Sequence, residues 1–250
     1  MMNILWGILS QLQGAFSHKF TFMWFCSFVI GACAGSDQIG GVSGIVRNLG
    51  VSERAYHSLL RLFGSRAVNH GLLAQYWMSL AVRLFEPNLL CISGRRLFIV
   101  DATKVAKTGR KMPGVLGMKD TVNDAWMRGH YFESLAVVAR GVMSFFPIPV
   151  ATTLLYGKAD DTGNLVDRCL SFIQRYPQVQ GCLLVGDAWY SKSKLIVQLA
   201  KTHALAMVTR VAKNVVAYEV YIESPFTPLR RGRKKKYGEK IKLIELFSLE

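Results

Sequence analysis

From the N-terminus to about residue 90, apolar positions recur at three- and four-residue spacing with almost no strict alternation, which predicts a helical unit. Within it, Gly41 to Leu49, the turn Gly50-Val51-Ser52, and Glu53 to Phe63 read as helix, turn, helix. Ser52 is the expected N-cap, and Tyr56, Leu59, Leu60 and Phe63 fall on one apolar face. That layout suits a DNA-reading helix-turn-helix and equally the plain packing of two helices. Pro87, Asn88, Ser93 and Gly94 then mark a boundary, so residues 1–92 form the expected helical N-terminal domain.

Past the boundary the pattern turns strand-like. Leu97-Phe98-Ile99-Val100 is a short continuous apolar run ending at Asp101, and Thr103 to Lys111 follows as a basic polar loop. Tyr131 to Arg140 and Met143 to Leu155 are extended segments joined around Gly141 as a hairpin, with Pro147 and Pro149 placing the second near a sheet edge. Asn164 to Tyr176 has helical spacing, and Cys182 to Val185 is a second buried apolar run ending at Asp187. Ser191 to His203 reads as a helix and Ala204 to Arg210 as a fifth strand. Residues 93–213 are therefore expected to form an α/β domain around a mixed five-stranded sheet. If the hairpin extends outward from the first strand, a right-handed crossover through the Asn164 helix lays the fourth strand on its other side. Asp101 and Asp187 would then be neighbours. After Val211 the pattern degrades, and residues 214–250, with Pro225, Pro228 and the run Arg230 to Lys236, read as the start of a basic insertion or linker.

Charge sharpens this picture. The 250 residues carry 31 Lys and Arg against 16 Asp and Glu, a formal net charge of +15, which favours a polyanionic partner, nucleic acid or an anionic membrane surface. The stretch Phe20 to Ala34 is apolar, but it is shorter than the ~20 residues of a spanning helix and reads as a buried core helix. A membrane-anchored protein held by this stretch is the rival reading. Five scattered cysteines, with no CxxC pair and no zinc spacing, read as free thiols of a reducing cytoplasm. No GxxxxGK[ST] loop, HExxH or GxSxG motif occurs, which leaves ATPase, metalloprotease and serine-hydrolase readings without support.

The informative chemistry is the pair of apolar strands that each end in an aspartate. Ligands of open parallel sheets sit at the carboxyl ends of strands. Two adjacent carboxylates repel unless a cation lies between them, and carboxylate oxygens suit Mg²⁺ or Mn²⁺. Such a metal site serves phosphodiester chemistry. The bland alternative for either residue is a turn former or helix N-cap.

At this point a resemblance becomes specific. Val100-Asp101-Ala102-Thr103-Lys104-Val105-Ala106-Lys107 with Gly109-Arg110-Lys111-Met112-Pro113-Gly114, then Arg128-Gly129-His130-Tyr131-Phe132, then Val185-Gly186-Asp187-Ala188-Trp189-Tyr190-Ser191 resembles the core of bacterial insertion-sequence DDE transposases. Arg230 to Lys240 resembles the basic linker these proteins carry after the fifth strand. The resemblance implies an RNase H-like fold, here incomplete, and a metal-dependent endonuclease that cuts and joins DNA in transposition. Asp101 and Asp187 take the place of the first two catalytic metal ligands, with Mg²⁺ or Mn²⁺ as cofactor. The third ligand of the family, a glutamate on a later helix, has no matching position, and Glu219, Glu223, Glu239, Glu245 and Glu250 are not assigned to it. The expectation is thus a C-terminally truncated transposase with weak or no strand transfer. It would be cytoplasmic and nucleoid-associated, bind double-stranded DNA at transposon ends and target, and pair as a homodimer in that complex. Lys104, Lys107, Arg110 and Lys111 are candidates to hold the scissile strand, and Arg230, Arg231, Arg233, Lys234, Lys235 and Lys236 to touch DNA phosphates. For each set a solvated basic segment is the alternative. His130 reads as a phosphate-orienting or a structural residue, and Trp189 and Tyr190 as base-stacking or core residues. The alternative for the whole chain is a catalytically silent DNA-binding remnant.

Overall fold

The structure is a computed structural model and describes residues 2–35, 41–109, 111–120, 124–155, 164–211, 215–222 and 236–242. The helices α1 (Met2–Ser10), α2 (Lys19–Ala34), α3 (Gly41–Leu49), α4 (Glu53–Phe63) and α5 (His70–Phe85) come first. The bounds of α3 and α4 are those the pattern predicts. Ser52 occupies the N-cap position, though its side chain makes no capping hydrogen bond. The buried face of α4 is rotated from the expected one. Ala55, Leu59 and Leu62 are buried while Tyr56, Leu60 and Phe63 lie at the surface. A stripe counted from large apolar residues alone misses that Ala55 faces inward. The 16 residues of α2 rise only about 24 Å, and no helix of the described residues is long and apolar enough to cross a membrane.

The sheet is built from β1 (Cys91–Ile92), β2 (Arg95–Ala106), β3 (Leu116–Asp120), β4 (Ala125–Arg140), β5 (Phe145–Leu155), β6 (Leu183–Gly186) and β7 (Ala206–Thr209). Among the described residues it has seven strands rather than five, because β1 adds to β2 and β3 adds to β4 at their margins. The five expected strands lie in the order β5-β4-β2-β6-β7. Pairs β5/β4 and β4/β2 are antiparallel, and β2/β6 and β6/β7 are parallel. That order and those directions are the RNase H-like arrangement. The crossover to β6 carries α6 (Leu165–Gln174), and α7 (Ser193–His203) joins β6 to β7. Asn164 and Asp167 close a reciprocal capping box at the start of α6, which fixes where the crossover helix begins.

The expected basic loop after Asp101 starts later than the pattern predicts, since β2 continues to Ala106. The 16-residue β4 offers partners that far, down to the pair Ala106↔Gly129. There a side chain would not fit. A Cβ on Gly129 would come within 2.3 Å of the Val105 carbonyl oxygen, so glycine is what lets the two strands meet.

One hydrophobic core fills the inner face of the sheet. Phe98 and Val100 of β2, Leu135 and Val137 of β4 and Leu184 of β6 pack with Phe172 and Ile173 of α6 and Leu195 and Leu199 of α7. Met78, Ala81 and Val82 of α5 join the same cluster. Later in the chain, β8 (Val216–Val220) and β9 (Tyr237–Lys242) pair antiparallel as a separate ribbon.

Candidate active site

The two aspartates are brought together by strand register. In the parallel pair β2/β6, Leu97 lies beside Leu183, Phe98 beside Leu184 and Ile99 beside Val185. Asp101 and Asp187 each stand two residues beyond the last of these pairs. Adjacent strands run about 4.8 Å apart, so this register sets the two residues at the same height on neighbouring strands, where β6 ends and β2 continues. Both residues are exposed.

Their local settings differ. Asp101 lies within β2, opposite Ser134 of β4. Asp187 follows the last residue of β6 and heads the single 3-10 turn Ala188–Tyr190. Its Oδ1 accepts the Trp189 N–H at 2.9 Å, and its backbone carbonyl accepts the Thr209 hydroxyl from the end of β7. Asp187 is therefore a turn cap as well as a strand-end carboxylate: the Trp189 N–H holds its side chain, and the Thr209 hydroxyl holds its backbone where β6 and β7 both end.

A third acidic group, Glu133, stands close by and was not anticipated from the sequence. It is 0% exposed, and it lies opposite Ala102, one residue past Asp101 in the register. One carboxylate oxygen accepts the Tyr190 hydroxyl, and Oε2 has no hydrogen-bond partner. Burial pushes the Glu133 carboxyl up to about 7; the Tyr190 hydrogen bond opposes this, and the negative charges of Asp101 and Asp187 add to it. Tyr131 also feels all three carboxylates, and burial first and then those charges raise its phenol. The signal that could have exposed Glu133 was strand alternation, since it is in phase with Leu135, Val137 and Ala139 and so points into the core.

Four of the expected basic residues fall within the described residues. The Lys104 ammonium donates to the Lys119 carbonyl at 2.7 Å, which ties β2 to β3. Lys107 follows β2, its N–H donating to the Arg128 carbonyl, and Lys111 is exposed in the turn before β3. Lys236 stands over the Tyr237 ring at 5.5 Å. Arg110, Arg230, Arg231, Arg233, Lys234 and Lys235 lie outside the described residues, as do Glu223, Glu245 and Glu250. His130 meets the Pro113 carbonyl at 2.9 Å. Tyr190 is 1% exposed and Trp189 packs partly buried on the same core.

No group of three or more His, Cys, Asp or Glu residues placed to hold a metal occurs among the described residues. The donor set of two neighbouring carboxylates nevertheless suits Mg²⁺ or Mn²⁺, since Mg²⁺ is bound through one or two carboxylates and keeps several waters.

No protein-family model matches the sequence, and no curated protein matches it. Among solved structures, the chain is similar to the piggyBac transposase in a cryo-EM synaptic complex with hairpin DNA, at 14% identity and a TM-score of 0.42. The match covers 78% of this chain and 44% of that one, so the chain spans less than half the length of the protein it overlays.

Proposed function

We propose that this chain is a DNA transposase of the DDE kind, with Asp101 and Asp187 as the first two metal-binding carboxylates. The observation that supports this best is the β2/β6 register, which gives two strands far apart in the sequence an aspartate at the same height. A bound Mg²⁺ or Mn²⁺ would activate an attacking water or 3′-hydroxyl and stabilise the leaving oxygen of a phosphodiester. Asp101 and Asp187 would hold the ion by carboxylate oxygens, while the Thr209 hydroxyl fixes the Asp187 backbone and the Trp189 N–H fixes its carboxylate. The formal charge of +15 draws the DNA backbone to the protein and makes binding sensitive to salt. Double-stranded DNA at transposon ends and targets is the proposed partner, with a homodimer as the acting form.

A second reading is a DNA-binding protein that does not cut, in keeping with a site where, among the described residues, no group of three or more His, Cys, Asp or Glu is placed to hold a metal. An ion held by two carboxylates is poorly positioned, and positioning with electrostatics supplies most of the catalysis in such chemistry. The chain would then bind DNA without cutting it.

Nicking of supercoiled plasmid in Mn²⁺ distinguishes the two. The transposase reading expects slow nicking that disappears in Asp101→Asn and in Asp187→Asn, while salt-sensitive DNA binding persists in both. Binding with no nicking at any Mn²⁺ concentration supports the silent DNA-binding protein. Nicking that survives both substitutions contradicts the assigned site.

A further inference from the structure

Glu133 is an expensive residue to bury. A carboxyl group taken out of water with only one of its oxygens bonded costs free energy, and a core position in phase with Leu135 could have held an apolar residue instead. Its one bond runs in an informative direction. Tyr190 ends the turn that Asp187 begins, and Glu133 belongs to β4. In the sheet β2 lies between β4 and β6, so the Tyr190–Glu133 pair reaches beneath β2 from one neighbour to the other, about 10 Å at the usual strand spacing. The residue of β2 opposite Glu133 is Ala102, whose small side chain leaves room for the crossing. At the other end the Tyr190 ring lies against Gly186, the residue before Asp187. A Cβ there would come within 2.7 Å of the ring.

We propose that Glu133 is a positioning residue for the second aspartate: through the Tyr190 hydroxyl it clamps the Asp187 turn to the strand pair that carries Asp101. This rests on the two-aspartate reading above. The turn is only three residues long, and its Trp189 bond to Asp187 is internal to it. Thr209 anchors it to β7, on the far side of β6 from Asp101. The Glu133–Tyr190 bond instead anchors it toward β2 and β4, and so sets the spacing of the two carboxylates. Groups that orient metal ligands in this way typically account for 10- to 100-fold in metal affinity.

The test is Mn²⁺ binding to the full chain by calorimetry, with thermal unfolding of each variant alongside. Tyr190→Phe keeps the ring and removes the hydroxyl; it is expected to weaken Mn²⁺ at least tenfold. Glu133→Gln still offers an oxygen to the phenol and is expected to bind Mn²⁺ within about twofold of the parent. The double variant Glu133→Leu with Tyr190→Phe removes both polar partners together, a change that can be neutral for stability. It is expected to unfold near the parental temperature yet bind as weakly as Tyr190→Phe. Parental affinity in Tyr190→Phe, or equal weakening in Tyr190→Phe and Glu133→Gln, overturns the clamp, and both comparisons remain available if the double variant does not fold. If Asp101→Ala and Asp187→Ala abolish binding while Tyr190→Phe binds as the parent does, the clamp alone is wrong. If the parent binds no Mn²⁺, or the alanine variants bind unchanged, the two-aspartate site is wrong and the clamp falls with it.

Discussion

The two faces of the central sheet differ around the candidate site, although they are one residue apart along each strand there. On the inner face Phe98, Val100, Leu135, Val137 and Leu184 are at most 1% exposed. On the outer face Ile99, Ala136 and Val185 are only half-buried, and Val208 is 54% exposed. The acids follow the same division. Asp101 belongs to the outer face and meets solvent, whereas Glu133, across the same strand pair, points inward and has to be bonded. A period of two thus separates the group available for chemistry from the group that supports it. Charge is tolerated on the open face at little cost and retained on the packed face only with a partner.

Substitutions on neighbouring residues sharpen this contrast most. Leu184→Ala is expected to cost about 2 to 5 kcal/mol, and Val185→Ala, its outward neighbour, about 1 kcal/mol or less, by urea unfolding. Equal losses would mean that the outer face is packed in solution. The next effect is a pH dependence. Because folding raises the Glu133 carboxyl from 4.5 to about 7, the folded protein holds that proton more tightly than the unfolded chain. Its contribution favours folding below about pH 4.5 and is lost as pH rises through about 7, a fall of up to about 3 kcal/mol. Stability measured from pH 4.5 to 8 should show this decline in the parent and not in Glu133→Gln. Gly186→Ala is smaller again, about 1 to 3 kcal/mol, as the new methyl drives the Tyr190 ring off its seat. Asp101→Asn, on the open face, should change stability by no more than about 0.5 kcal/mol.

Much of this arrangement was legible in the residues because the strands announce themselves. Leu97 to Val100 and Cys182 to Val185 are apolar runs bounded by polar residues, and their order with the intervening helices leaves few sheet topologies. The helix bounds of α3 and α4 were equally clear, with the Gly50-Val51-Ser52 turn between them. The two short added strands were not. β3 lies in a stretch with lysine and aspartate, and β1 is two residues long; both pair with one neighbour and need no apolar face of their own. Within the candidate site, the position of Asp101 and Asp187 followed from strand order, but Glu133 hid inside a strand read only for its apolar content. Its inward phase with Leu135 and Val137 carried the information. What no local pattern carries is the bond to Tyr190, which joins residues 57 positions apart.

All the rest depends on Asp101 and Asp187 sharing one divalent ion. Titration of the full chain with Mn²⁺, followed by electron paramagnetic resonance, tests it directly in the parent, Asp101→Ala and Asp187→Ala. Saturable binding by the parent, lost in each single variant while circular dichroism shows both folded, is the expected result. Parental affinity in either variant would show that the two carboxylates do not share a metal, and would contradict the site.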